Sequence, residues 1–288
     1  MYNSNNGTPT PISTTLDELE TEGLGQERPQ ITFIGHNMGN RSFTFLMPMK
    51  EFYDVSIVAN ERSKGDEAVA QRKLNLPHAN KLAKYILKGL VSAAIRQREI
   101  DKKDIPEAFV EIQKSIGKQP YLALQPIICN LRDVDPGGSN MRGFREENRS
   151  SETIAFRVYF QQKNLLYVVD GQHRRSAMKL VFDFINEVIK SQSLPKKNNL
   201  ISPKKGDLTS SELMLFNEML IVASGSCTVQ IDCHLGLGID EERQLFHDLN
   251  NLGKLFHFFY FCLVDFFFPN LFLISLKKFF PTLRLSYY

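Results

Sequence analysis

The sequence predicts an α/β (α+β) protein built around one main domain. Short runs rich in β-branched and aromatic residues, among them "ITFIGHN", "SFTFLMPM" and "CTVQIDCHL", read as strands. Between them lie segments whose apolar residues recur at intervals of three and four, the spacing of helices packed on one side. The bulk composition agrees: 288 residues, 42% hydrophobic and 23% charged, suit a folded chain with a sizeable core.

Taken in order, residues 1–29 are rich in Ser, Thr, Asn, Pro and Gly and poor in large apolar groups. Such a segment cannot offset its ordering entropy, which predicts a disordered acidic arm. The domain, residues 30–254, opens on the two strand-like runs. "PHANKLAKYILKGLVSAAIRQ" follows, with Leu82, Ile86, Leu90 and Ala93 on one helical face and Pro77 suited to a first turn. "YLALQPIICNL" reads as a strand, and "DVDPGGSNMRGFREENRS" as a mobile loop whose arginines, Arg142, Arg145 and Arg149, are largely balanced by Glu146 and Glu147. "TIAFRVYF" and "LLYVV", joined by "QQKN", resemble a hairpin. The helix after Gly171 repeats Ala177, Leu180, Val181, Phe184, Ile185, Val188 and Ile189 at helical spacing. A lysine-bearing linker, a helix "SSELMLFNEMLIVA", the strand "CTVQIDCHL" and a helix "DEERQLFHDLNNLGK" complete the domain.

Residues 255–288 speak a different language. The 36 positions from Gly253 hold 10 of the 22 phenylalanines, without helical or strand period. Three readings stand: a misread or untranslated segment joined to a truncated domain, a membrane-associated tail, or an unusual core segment. His257, Asp265, Pro269 and Asn270 interrupt the run and argue against a membrane span.

Charge and cysteine content narrow the classes. The formal charge is +3, but Asp17, Glu18, Glu20, Glu22 and Glu27 face only Arg28 in the first 30 residues, so the remainder is more basic, a mild lean toward polyanions. Cys129, Cys227, Cys233 and Cys262 form no C-x-x-C pair, and the chain starts with no signal-like apolar run, which predicts a reducing cytoplasmic setting. Cys227 and Cys233 share a strand face as buried thiols would, and no further ligands are spaced for a tetrahedral metal, so no metal site is predicted. No G-x-x-x-x-G-K-[ST] occurs, which excludes a P-loop mechanism.

The chemistry concentrates in "YVVDGQHRRSAM". A strand feeding straight into a helix aims free N–H groups, with about half a positive charge, at whatever lies above the turn. Gly171 permits close approach and unusual dihedrals, Asp170 suits a helix cap or a cation, and Gln172 adds neutral hydrogen bonding. His173 donates, accepts or titrates near neutrality. Arg174 offers a planar fork for phosphate oxygens, and Arg175 a second cation about 100° away on the helix, so one arginine, Arg174, is expected to face the site. The plain alternative is a capped helix with solvated polar side chains.

Three motifs in order, "QRKLNLPHANKLAKYIL", "VVDGQHRRSAM" and "EERQLFHDLNNLGK", resemble the DGQHR-domain family, whose best-known branch is the DNA sulfur modification protein DndB. The resemblance implies kinship with ParB-like and sulfiredoxin-like folds, a mixed sheet flanked by helices with a strand–turn–helix anion site. It implies phosphate or nucleotide binding by Asp170, Gly171, Gln172, His173 and Arg174, with Gln71 and Arg72 nearby. Arg243, Asp248 and Asn250 match the third motif, without a derivable role. The function implied is a DNA-binding transcriptional regulator of DNA phosphorothioation, in company with other DNA-modification proteins. Arg175 and the linker lysines Lys196, Lys197, Lys204 and Lys205 would then contact DNA phosphates. The alternative is a nucleotide hydrolase or nuclease, with Asp170 or His173 assisting water and a nucleoside triphosphate with Mg as cofactor. A non-catalytic interaction module is the third class, and the residues leave open whether the chain is an enzyme.

Overall fold

A computed structural model of the chain describes residues 27–58, 74–161, 163–195, 198–202 and 206–251. The chain divides into two units, Met1–Glu242 and Arg243–Tyr288. In the first, the described strands β1 (Arg28–Asn37), β2 (Asn40–Pro48), β3 (Ser56–Val58), β4 (Ile127–Leu131), β5 (Arg142–Glu147), β6 (Thr153–Phe160), β7 (Leu166–Asp170) and β8 (Thr228–Leu235) form one mixed sheet in the order β3-β7-β4-β8-β2-β1-β6-β5. The helices are α1 (Met49–Val55), α2 (Leu76–Ile100), α3 (Glu107–Ile116), α4 (Gln172–Ser191) and α5 (Ser210–Ser224). The mixed α/β class expected from the sequence is therefore observed. In the second unit, residues 243–251 are helical.

Local chemistry explains the starts of these elements. Met38 and Gly39 take φ of 50° and 87°, the left-handed pair that lets a two-residue turn follow strand twist, and so join β1 to β2. Asn75 caps α2 by accepting from the His78 N–H, with Pro77 in the first turn, where a missing N–H costs nothing. Thr209 and Glu212 form a reciprocal capping box on α5. β1 changes partners midway: Arg28–Thr32 pair with β6 and Phe33–Asn37 with β2.

The core lies between the sheet and the helices. Phe43, Phe45 and Met47 alternate inward from β2, as do Val229, Ile231, Cys233 and Leu235 from β8. The buried stripe of α2, Ala83, Leu87, Leu90, Val91 and Ala94, belongs to the same cluster as Val181, Phe184, Ile185 and Val188 of α4 and Leu215, Phe216 and Met219 of α5. The Phe184 and Phe216 rings meet edge to face, 6.0 Å apart.

Three local expectations need correction. β6 and β7 are not a hairpin: β6 lies between β1 and β5, and β7 between β3 and β4. β7 carries a nearly continuous buried run, Leu166, Val168 and Val169, which demands a central position. The loop between the two strands is a turn in which the Asn164 side chain accepts from the Gln161 N–H. The segment read as a loop contains β5, an edge strand held by cross-strand pairs rather than burial: Arg142 over the Tyr159 ring at 4.4 Å and Arg157 to Glu146 at 2.7 Å. Of "YLALQPIICNL", Ile127–Leu131 alone is strand.

The acidic arm up to residue 26 and the Phe-rich segment 255–288 lie outside the described residues. Among the described residues, no helix is long and apolar enough to cross a membrane.

Candidate functional site

β7 ends at Asp170 and α4 begins at Gln172, so Gly171 alone makes the turn. Its φ of +106° is available to glycine and strained for other residues. Space enforces the same choice, since a Cβ there would stand 3.0 Å from Cγ2 and 3.2 Å from Cγ1 of the buried Ile127. The β4–β7 register shifts between Ile128 and Cys129, just before the turn. Bulges of this kind re-aim the chain.

Arg174 sits one helical turn on and faces back over the glycine. Its guanidinium donates to Asp170 Oδ2 at 2.8 Å, to the Gln125 carbonyl at 3.0 Å and to the Pro126 carbonyl. Asp170, expected to cap α4, is instead Arg174's ion-pair partner, and no side chain caps the helix. The i,i+4 spacing sets the two charges opposite each other, and a charge-assisted bond outcompetes the cap.

His173 points the other way. Its Nε2 accepts from the backbone N–H of Asn75, the cap residue of α2, at 3.1 Å, and its ring meets His78 edge to face at 5.1 Å. Burial, then the neighbouring His78, pushes its pKa below the ordinary histidine value, with Asp170 opposing. Accepting at Nε2 requires that nitrogen to be unprotonated, so the hydrogen bond and the shift agree. The bond also joins the first turns of α2 and α4, bringing two positive helix ends together.

The remaining candidates separate. Gln172 is buried. Arg175, expected to contact nucleic acid, is 7% exposed and turned inward, donating to the Ser56 carbonyl at 3.0 Å with its guanidinium 5.0 Å from the Tyr53 ring centroid. In this conformation its charge serves the junction of α1 and β3 rather than a surface phosphate. Gln71, Arg72, Lys196, Lys197, Lys204 and Lys205 lie outside the described residues. In the second unit, Asp248 accepts from Gln244 and Asn250 donates to the Phe246 carbonyl, both bonds local to the helix that also carries Arg243.

Two groups escaped the sequence reading. Glu242, in the third motif beside Arg243, is buried. It accepts from Arg132 Nε at 2.8 Å and Nη2 at 2.6 Å and from Asn130 Nδ2 at 2.7 Å, while Arg132 lies 3.9 Å from the Tyr167 ring centroid. The bond to Glu242 raises the Arg132 pKa. Its signal was positional: Glu242 falls three, four and seven residues before Leu245, Phe246 and Leu249, on the apolar side of its helix. The second group is Lys81, Lys84 and Lys88, which share one face of α2 and make no ion pair among the described residues. Residues 76–98 contain no carboxylate.

Among the described residues, no cluster of three His, Cys, Asp or Glu is arranged to hold a metal. The one carboxylate of the turn, Asp170, is paired with Arg174. Cys129 and Cys233 are register partners on β4 and β8, and burial raises both thiol pKa values.

These features define a class: α/β proteins in which a central strand passes through a single glycine into a helix bearing His and Arg in its first turn. The chain belongs to the DndB family, described as DNA-sulfur modification-associated, whose family model matches residues 31–256. Comparison with curated proteins and with solved structures gives no match.

Proposed function

We propose that this chain is a DNA-binding regulatory protein of DNA phosphorothioate modification, holding backbone phosphates along α2 and at the turn from Asp170 to Arg174. Family membership supplies the DNA sulfur modification context. The observation that carries the binding reading is the lysine face of α2. Lys81 lies one turn from His78, at the junction of the two helix starts, and Lys84 and Lys88 continue the face. Lysines that make no ion pair among the described residues, on a helix lacking carboxylates for its first 23 residues, form a row that a phosphate backbone can neutralise.

The hydrolase reading lacks comparable support, because the Nε2 of His173 is engaged by Asn75 and Asp170 by Arg174. Regulation through other DNA-modification proteins fits the same surface but rests on family membership alone.

The test is a duplex titration at several salt concentrations. Three phosphate contacts give a slope of log affinity against log salt near −3, and each of Lys81→Ala, Lys84→Ala and Lys88→Ala reduces it by about 1. Binding that is indifferent to salt, or unchanged in the triple variant, would overturn the reading. Steady release of phosphate from ATP or CTP would favour the hydrolase instead.

A further inference from the structure

We propose that a cavity against α2, beside its lysine face, is a binding site for a nucleotide-like ligand, one that joins a flat ring to a single anionic group. The cavity, about 470 Å³, lies between α2, the extended segment 119–124 and the start of β8. That volume falls in the range of small-molecule sites. Its lining is neither purely apolar nor charged at random. Arg96 is its one charged side chain, no Asp or Glu contributes, and Ser226 and Thr228 add hydroxyls. Arg96 is exposed and makes no hydrogen bond or ion pair among the described residues, so its fork is open to an anion.

The aromatic part has its own place. Tyr121, 82% exposed, and Tyr85 both line the cavity. Exposed aromatic rings beside a cation are how proteins stack a base while holding its phosphate. Tyr85 also fastens the wall: its hydroxyl donates to the Ala123 carbonyl at 3.0 Å and accepts from the Ala123 N–H at 2.8 Å. Both backbone groups of Ala123 are thereby satisfied without strand pairing, and the 119–124 segment is tied to α2.

Gly89 gives a second, independent indication. It lies in the interior of α2, where glycine is the least favourable residue after proline. No packing demands it, for a Cβ built there meets nothing within 4 Å and the backbone is ordinary helix. What the missing side chain provides is room in the cavity it lines.

A nucleotide could be free or the end of a strand, and the two sources share this chemistry. Calorimetric titration of the full chain with adenosine monophosphate, adenosine and a short single-stranded deoxyadenosine oligonucleotide distinguishes them. Saturable binding of the monophosphate at least tenfold tighter than adenosine is expected, with that difference abolished by Arg96→Ala. A preference for the oligonucleotide over the monophosphate, equally sensitive to Arg96→Ala, assigns the strand as source. Gly89→Leu is expected to weaken either ligand at least tenfold while melting no lower than the parent. Absence of saturable binding by all three ligands, or binding unchanged in both Arg96→Ala and Gly89→Leu, would overturn the proposal.

Discussion

Replacing Gly171 with alanine tests whether the turn is fixed by backbone and packing together. At φ +106° and ψ 13° the alanine backbone is strained by about 1–3 kcal/mol. The added methyl would sit 3.0 and 3.2 Å from two carbons of Ile127, inside the ordinary 3.5–4.0 Å contact distance. Ile127 is fully buried on β4, between β7 and β8, and cannot retreat into solvent; overpacking of this kind adds about 1–3 kcal/mol. The expected loss is thus about 2–6 kcal/mol. For a domain of this size each kcal/mol lowers Tm by about 2–4 °C. Gly39→Ala is the internal control, because Gly39 also has positive φ, +87°, but a Cβ there meets nothing within 4 Å. It should show the backbone cost without the steric one. Urea unfolding of both variants, read by far-UV circular dichroism, measures the difference. If Gly171→Ala costs no more than Gly39→Ala, the contact with Ile127 is not a constraint and the account of the turn fails.

Arg174→Ala should destabilise by about 2–3 kcal/mol in the same assay, since it strips Asp170 and two carbonyls of a charged donor, and a loss below 0.5 kcal/mol would contradict the bracing role. Glu242→Ala leaves the Arg132 guanidinium without its carboxylate, while Asn130 keeps the Leu237 carbonyl; with Arg132 partly solvated, about 2–3 kcal/mol is expected rather than the full cost of breaking a buried pair, and a neutral result would refute it. Gly89→Ala should stabilise by about 0.5–1 kcal/mol, because helix propensity improves and nothing obstructs the methyl; destabilisation would show an unseen packing constraint. The pKa values of His173 and His234 are lowered in the fold, chiefly by burial, so each favours the folded state fully above the unfolded value near 6.5, an advantage lost as pH falls from there through the folded value. Urea midpoints should therefore drop between pH 7.5 and 5.5, and drop less in His173→Asn; a midpoint that rises on acidification would reverse the sign.

What was legible in the sequence was what local pattern determines. The stripes of α2 and α4 and the alternation of β2 and β8 follow from period alone, and the Asp-Gly boundary marked where β7 becomes α4. Strand partners were not legible. β6 and β7 are close in sequence and resemble a hairpin, but pairing depends on which edges the rest of the chain leaves free, and β3 and β4 claim both edges of β7. β5 was missed because an edge strand can be held by Arg142, Phe144 and Tyr159 in place of a buried face. At the turn, residue types marked where polar side chains gather, and the fold places His173 and Arg174 in the first turn of α4. The direction of each side chain was hidden, because it depends on contacts made across the fold. Ser56 and Tyr53 receive Arg175, and Gln125 and Pro126 receive Arg174.

Those directions change what each arginine can contribute. A guanidinium bonded to Asp170 and two carbonyls is a brace: it ties the first turn of α4 to the chain entering β4, and its charge is largely spent on Asp170. An anion arriving at the turn would therefore meet backbone N–H groups and the adjoining first turns of α2 and α4. Further along α2, Lys81, Lys84 and Lys88 make no ion pair among the described residues. This division makes the proposed phosphate contacts separable. Substituting the lysines should flatten the salt dependence of binding while leaving the urea midpoint unchanged, whereas substituting Arg174 should lower the midpoint. If the lysine variants instead lost stability as much as affinity, the row would be part of the fold's own electrostatics, and α2 could not be read as the surface that meets DNA.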